Sequence, residues 1–159
     1  YIDAVEKRVN LPELPFAWTD ISHITLVACG TSFYAANIAK YWLEELTDLP
    51  ITLDIASEFR YRHPYLPKNG LVIGISQSGE TADTLAALRL SKQRGQHILA
   101  IVNAPESTMA RESHAVLPIY AGPEIGVAST KAFTAQLATF ACLALAIAAA
   151  RGSTAPLDT

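Results

Sequence analysis

Leu71-Val72-Ile73-Gly74-Ile75-Ser76-Gln77-Ser78-Gly79-Glu80-Thr81 is the stretch on which the reading of this chain turns. Its first five residues are uncharged and mostly β-branched, which predicts a buried strand over 71–75. The loop behind them packs three hydroxyls, one amide, one glycine and one carboxylate into residues 76–81. From Ala82 to Arg94 the pattern becomes helical, with Leu85, Leu88 and Leu90 as apolar positions and Gly95 as the stop. A loop between a buried strand and a helix start presents unpaired N–H groups and a partial positive charge. Hydroxyls add short donors suited to phosphate oxygens, and Gln77 can both donate and accept, as sugar hydroxyls require. Gly79 lets backbone approach a ligand closely.

The same alternation extends both ways. Ile24 to Cys29 reads as a buried strand, Gly30-Thr31-Ser32 as a turn and Phe33 to Leu46 as a helix with a broad apolar face. A strand follows over 51–55, then a short helix over 56–61 that ends before Pro64. Beyond the opening stretch come a strand over 98–102, a turn at Asn103-Ala104-Pro105 and a short helix to Glu112 with Ser107 as its N-cap. A fifth strand spans 115–120, placed near an edge by Pro118, and a long helix runs from about Ser129 to Ala150. Strands alternating with helices imply a parallel sheet with crossovers on both faces. The expected fold is therefore α/β, a three-layer α/β/α sandwich on a five-stranded parallel, flavodoxin-like sheet. Residues 1–19 read as an extension with an amphipathic helix over 1–10, 20–151 as the domain, and 152–159 as a flexible tail.

Ligands of such sheets bind at the carboxyl ends of the strands, near a switch in strand order. Both hydroxyl-rich loops, Thr31-Ser32 and Ser76–Thr81, fall at carboxyl ends with one strand between them in sequence, so they are expected to be neighbours. Neither is a nucleotide motif, because GxGxxG is absent after the first strand and GxxxxGK[ST] is absent altogether. With no Lys or Arg in either loop, an anion there would be held by neutral donors and helix ends.

The plainer reading is that Ser76, Ser78 and Thr81 merely cap a helix. Glu80 is a candidate base, but a carboxylate also stabilises the start of its own helix. Lys131 lies in the first turn of the last helix, where the dipole disfavours a cation; that calls for a partner, unless the side chain is simply exposed. His23, His63, His97 and His114 are scattered singly and read as structural or exposed. Cys29 reads as a packed thiol, since no histidine pairs with it in the sequence pattern.

Composition narrows the function classes. The chain has 159 residues, half of them hydrophobic, enough for one domain with its own core. A net charge of −3 with no basic stripe argues against a nucleic-acid partner. Two distant cysteines form neither a disulfide framework nor a zinc pattern, which fits a reducing cytoplasm. Opening on Tyr1, without a signal-peptide pattern, the sequence reads as an excised domain or a processed product. The apolar run Leu137–Ala150 is shorter than the roughly 20 residues of a span, so it is read as a buried helix, at a subunit interface, and no membrane is expected.

Together, Ala28-Cys29-Gly30-Thr31-Ser32, Glu58-Phe59-Arg60-Tyr61-Arg62, Ser76-Gln77-Ser78-Gly79-Glu80-Thr81 and Glu124-Ile125-Gly126-Val127-Ala128-Ser129-Thr130-Lys131-Ala132-Phe133-Thr134 resemble a sugar isomerase (SIS) domain. Within that family they are most similar to the first SIS half of the isomerase domain of glutamine–fructose-6-phosphate aminotransferases. The resemblance covers roughly residues 20–150. It implies that Thr31, Ser32, Ser76, Gln77, Ser78 and Thr81 bind a hexose 6-phosphate (fructose, glucose or glucosamine 6-phosphate), with Val127 and Ser129 along the sugar chain. It implies no cofactor or metal. The resemblance to these aminotransferases implies a glutaminase domain and a second SIS half, which carries the acid–base residues. The chain is thus expected to be the binding half of a cytoplasmic, homodimeric transferase, without turnover of its own. Two other readings are a stand-alone sugar-phosphate sensor and a small isomerase that recruits Glu80 or a histidine as base.

Overall fold

The computed structural model describes residues 1–6, 8–123 and 130–153. The segment expected as a helix over 1–10 carries two short strands of a hairpin instead: β1 (Ile2–Asp3) pairs antiparallel with β2 (Arg8–Val9). Asp3 explains the difference. Its carboxylate accepts the N–H groups of Val5 (3.1 Å) and Glu6 (3.0 Å), a local turn that competes with a helix. The hairpin is anchored by Tyr1, whose hydroxyl donates to the Pro118 carbonyl at 2.7 Å.

Five parallel strands follow, separated by helices: β3 (His23–Ala28), α1 (Gly30–Thr47), β4 (Ile51–Ile55), α2 (Ala56–Phe59), β5 (Gly70–Ser76), α3 (Ala82–Gln93), β6 (His97–Val102), α4 (Thr108–Glu112), β7 (Ala115–Pro118) and α5 (Lys131–Ala150). Their order in the sheet is β4-β3-β5-β6-β7, every neighbouring pair parallel, as the sequence predicts for a flavodoxin-like sandwich. β7 lies at the edge, where Pro118 costs no ladder hydrogen bond. The chain first steps from β3 out to β4, then returns past β3 to β5. The switch in direction therefore falls between β3 and β5, where Ala28 is level with Ile75.

Strands buried on both faces read as continuous apolar runs, and the two faces divide here by alternation. Leu71, Ile73 and Ile75 join Ile24, Leu26, Leu99 and Ile101 against α1 and α5. Val72 joins Val27, Ile98, Ala100 and Val102 against α2, α3 and α4. Gly74 interrupts the second face for lack of room: a Cβ there would stand 2.7 Å from Leu88 Cδ1 and 3.0 Å from Met109 Cε.

By length and composition α5 could cross a membrane, with a mean hydropathy of 1.9 over its most apolar window. In the fold, however, Phe140, Leu143, Ala144 and Ile147 are buried in the core it shares with α1 and the sheet. Its end is closed by Gly152 and Ser153, assigned to the tail from the sequence, which donate to the Ala149 and Ala148 carbonyls. The remainder of the expected tail, from 154 on, lies outside the described residues.

Two histidines couple this fold to pH. Burial holds His23 below its ordinary 6.5; partial burial, with Lys92 and His97 nearby, lowers His114 as well. Each favours the neutral ring in the folded state, so the stability they contribute is present above about 6.5 and is lost as pH falls toward the lowered values. Glu80 and Glu112 are held below their ordinary 4.5 and act only at lower pH. The urea midpoint is therefore expected to fall between pH 7.5 and 5.5, and to fall less in a His23→Gln/His114→Asn variant; equal slopes for the two proteins would contradict this.

Candidate functional site

The two hydroxyl-rich loops meet where the strand order switches. Neighbouring strands lie about 4.8 Å apart, so the residues leaving β3 and β5 sit side by side. The first loop is in fact the opening turn of α1, which begins at Gly30 rather than Phe33, with φ of 56° at Gly30. Thr31 is exposed there; Ser32 is half-buried and its Oγ accepts from Gln136 Nε2 at 2.9 Å.

The second loop is folded upon itself. Buried Ser76 uses its Oγ to accept the Gly79 N–H (3.0 Å) and shares a 2.9 Å hydrogen bond with the Thr81 hydroxyl. Exposed Ser78 accepts the Glu80 N–H at 3.2 Å. These bonds bear on the capping alternative. Thr81 is the N-cap residue of α3, yet its hydroxyl turns to Ser76 and bonds none of the helix's first amides. The N-cap position of α1 is Cys29, which likewise makes no side-chain cap. Two helix starts with no side-chain cap thus flank the switch point, each with partly unpaired N–H groups and the positive end of a dipole.

The loop is braced by residues that the sequence reading passed over. Asn103, at the carboxyl end of β6, donates its N–H to the Gln77 carbonyl at 3.1 Å. Its side chain then ties down the segment after β7, donating to the Gly122 carbonyl (2.7 Å) and accepting from the Ala121 N–H (2.9 Å). Asn103 had a legible signal, since it follows an apolar strand just as Ser76 does. Gln136 had another, an amide within an almost wholly apolar helix.

Glu80 differs from expectation. Its carboxylate accepts the Thr108 N–H at 2.7 Å, so it caps α4 and not its own helix. That bond holds it below the ordinary carboxylate range, the wrong direction for a general base. The nearby cation Arg60 is already engaged: it pairs with Asp83 in the first turn of α3 at 2.7 Å and lies over the Tyr61 ring at 4.7 Å. Lys131 has a partner after all, donating to the Pro123 carbonyl. Val127 and Ser129, expected along the sugar, lie outside the described residues.

With this geometry in view, comparison with known proteins identifies the family. The SIS domain family matches residues 19–146. This chain belongs to the SIS domain family. Among curated relatives, the SIS chain is 57% identical over 159 residues to a glutamine–fructose-6-phosphate aminotransferase (isomerizing) of Bradyrhizobium diazoefficiens, covering 99% of the chain and 26% of that protein. The namesake of Zymomonas mobilis is 54% identical over 152 residues, 96% of the chain and 25% of the relative. The chain thus spans about a quarter of the length of the curated relatives it matches. Among solved structures, the C-terminal domain of glucosamine-fructose-6-phosphate aminotransferase from Francisella tularensis superposes with a TM-score of 0.85 at 46% identity, over 87% of this SIS chain and 40% of that one. Glucosamine-6-phosphate deaminase from Thermotoga maritima gives 0.75 at 28%, over 80% and 40%.

Gly79 is the position where this site tolerates least. Its φ is 67°, and a Cβ there would overlap the Ser107 side chain. Gly79→Ala is expected to cost roughly 1–3 kcal/mol or more by chemical denaturation. Gly95→Ala, with φ of 78° but nothing near its Cβ, serves as the strain-only control and should cost less. Equal losses would show that the loop does not press on Ser107.

Proposed function

We propose that this chain is the sugar-phosphate-binding first SIS half of a glutamine–fructose-6-phosphate aminotransferase (isomerizing), the transferase that makes glucosamine 6-phosphate. The observation that carries the reading is the pair of helix starts without side-chain caps, set side by side at the switch point and lined with hydroxyls. Identity of more than half across nearly the whole chain to enzymes of that name supports the choice within the family.

In this reading the amides at the start of α1 and α3 and the hydroxyls of Thr31, Ser32, Ser76, Ser78 and Thr81 hold the phosphate, while Gln77 meets a sugar hydroxyl. Val127 and Ser129 line the sugar chain. Hydrogen bonds to a doubly charged phosphate are worth more than those to neutral groups, and oriented amides give up little order on binding. The ligand is a hexose 6-phosphate: fructose 6-phosphate as substrate, with glucose and glucosamine 6-phosphates as its close analogues. Glu80, held ionised and spent on α4, is not the proton carrier. Acid–base chemistry then belongs to a second SIS half and ammonia release to a glutaminase domain, so the isolated chain binds without turning over. A cytoplasmic homodimer completes the proposal, supported by α5, whose most apolar window is only 50% buried within one chain.

Calorimetric titration tests the site. Ser78→Ala and Thr81→Ala should each weaken fructose 6-phosphate binding by about 1.5–3 kcal/mol, the worth of a hydrogen bond to a charged group. Unchanged affinity in both variants would remove the phosphate assignment.

A further inference from the structure

Helix α5 carries few polar side chains, and most turn back on their surroundings close by. Thr134 and Thr139 donate to carbonyls four residues earlier, and Lys131 donates to Pro123. Gln136 instead reaches across to α1, 104 positions away in sequence, and bonds Ser32. It is 1% exposed, and its Oε1 has no partner among the described residues. A buried amide oxygen left unpaired costs free energy and calls for an explanation.

The orientation of that amide has a consequence for Ser32. Gln136 Nε2 can only donate, so Ser32 Oγ is used as an acceptor. The single hydroxyl proton of Ser32 is then directed away from Gln136, and it meets no acceptor among the described residues. The reverse orientation would turn that proton inward and leave buried N–H donors unpaired in place of one acceptor. The fold thus bears an orphaned oxygen in an arrangement that frees a hydroxyl donor in the first turn of α1.

We infer that Gln136 is a positioning residue of the sugar-phosphate site, which fixes the Ser32 hydroxyl as a donor to a ligand oxygen. The inference rests on the function proposed above. Gln136 does not touch the ligand; it sets which way the Ser32 proton points before the ligand arrives. A preset donor loses less freedom on binding than a rotating one.

The test is a double-variant cycle read by calorimetry with fructose 6-phosphate, with thermal melting alongside. Gln136→Met keeps the length and removes both amide groups. It should weaken binding about threefold, the cost of orienting a hydroxyl that is no longer preset, whereas Ser32→Ala, which loses one hydrogen bond to a charged group outright, should weaken it about tenfold or more. The double variant should bind no more weakly than Ser32→Ala alone, because Gln136 acts only through the Ser32 hydroxyl. Gln136→Met should melt no lower than the wild type, since the orphaned oxygen goes with the amide, whereas a merely structural glutamine would lower melting and leave affinity intact.

Wild-type affinity in Gln136→Met, or losses that multiply in the double variant, would overturn the inference while the Ser78→Ala loss still upheld the site. If the wild type fails to bind, or neither Ser78→Ala nor Thr81→Ala changes affinity, the sugar-phosphate reading falls and this inference with it. Should Gln136→Met not fold, amide exchange in the wild type decides. A slowly exchanging Gln136 side-chain N–H that shifts on adding fructose 6-phosphate supports the inference; fast exchange without response overturns it.

Discussion

Where a parallel sheet reverses the direction in which successive strands are added, the crossovers on either side run apart, and the carboxyl ends of the two central strands are left without a connection over them. In this chain that place lies between β3 and β5. The placing of the site depends on it. The strands that deliver Ser32 and Ser76 must be adjacent, so the helices that follow them must start side by side. The apolar runs make those strands the innermost part of the core, buried on both faces, and so hold the two helix starts in fixed relation.

The electrostatics of the site follow from what is kept out of it. Arg60 is near but committed to Asp83 and stacked on Tyr61, and Glu80 is turned to α4. Among the described residues, what faces the switch point is neutral: hydroxyls, an amide and backbone N–H groups. Such donors hold an anion by direction more than by net charge. A hydroxyl also serves sugar and phosphate oxygens alike, which suits a ligand carrying both. The cost is that each donor must be aimed, and this accounts for the bracing around the loop. Gly79 packs against Ser107, Asn103 holds Gln77, and Gln136 holds Ser32.

Much of this was legible in sequence because it is local. Strands β5 and β6 are short apolar runs closed by Ser76 and Asn103, β3 is a mostly apolar run that ends at the Cys29-Gly30 turn, and Pro118 alone marks the edge. The adjacency of the two loops followed from alternation of strand and helix. The differences arise where a side chain chooses between near and far partners. Asp3 folds a turn and makes a hairpin of a segment with helical patterning. Thr81 sits at an N-cap but bonds Ser76, and Glu80 sits at one helix start but serves another, 28 residues on. Gln136 meets Ser32 across 104 positions, a pairing that only the α1–α5 packing creates. Periodicity reports which face is apolar; it does not report which of several polar atoms a hydroxyl will choose.

The central claim is that one ligand engages the starts of α1 and α3 together. Backbone ¹⁵N–¹H chemical shifts followed during titration with fructose 6-phosphate test it most directly, because amides that donate to a phosphate move strongly downfield. The account predicts that the amides of Thr31 and Ser32 and those of Ser78 and Thr81 to Thr84 move along one saturation curve, with inorganic phosphate moving the same set at weaker affinity. Shifts confined to one of the two helix starts, or centred away from the carboxyl ends of β3 and β5, would contradict it.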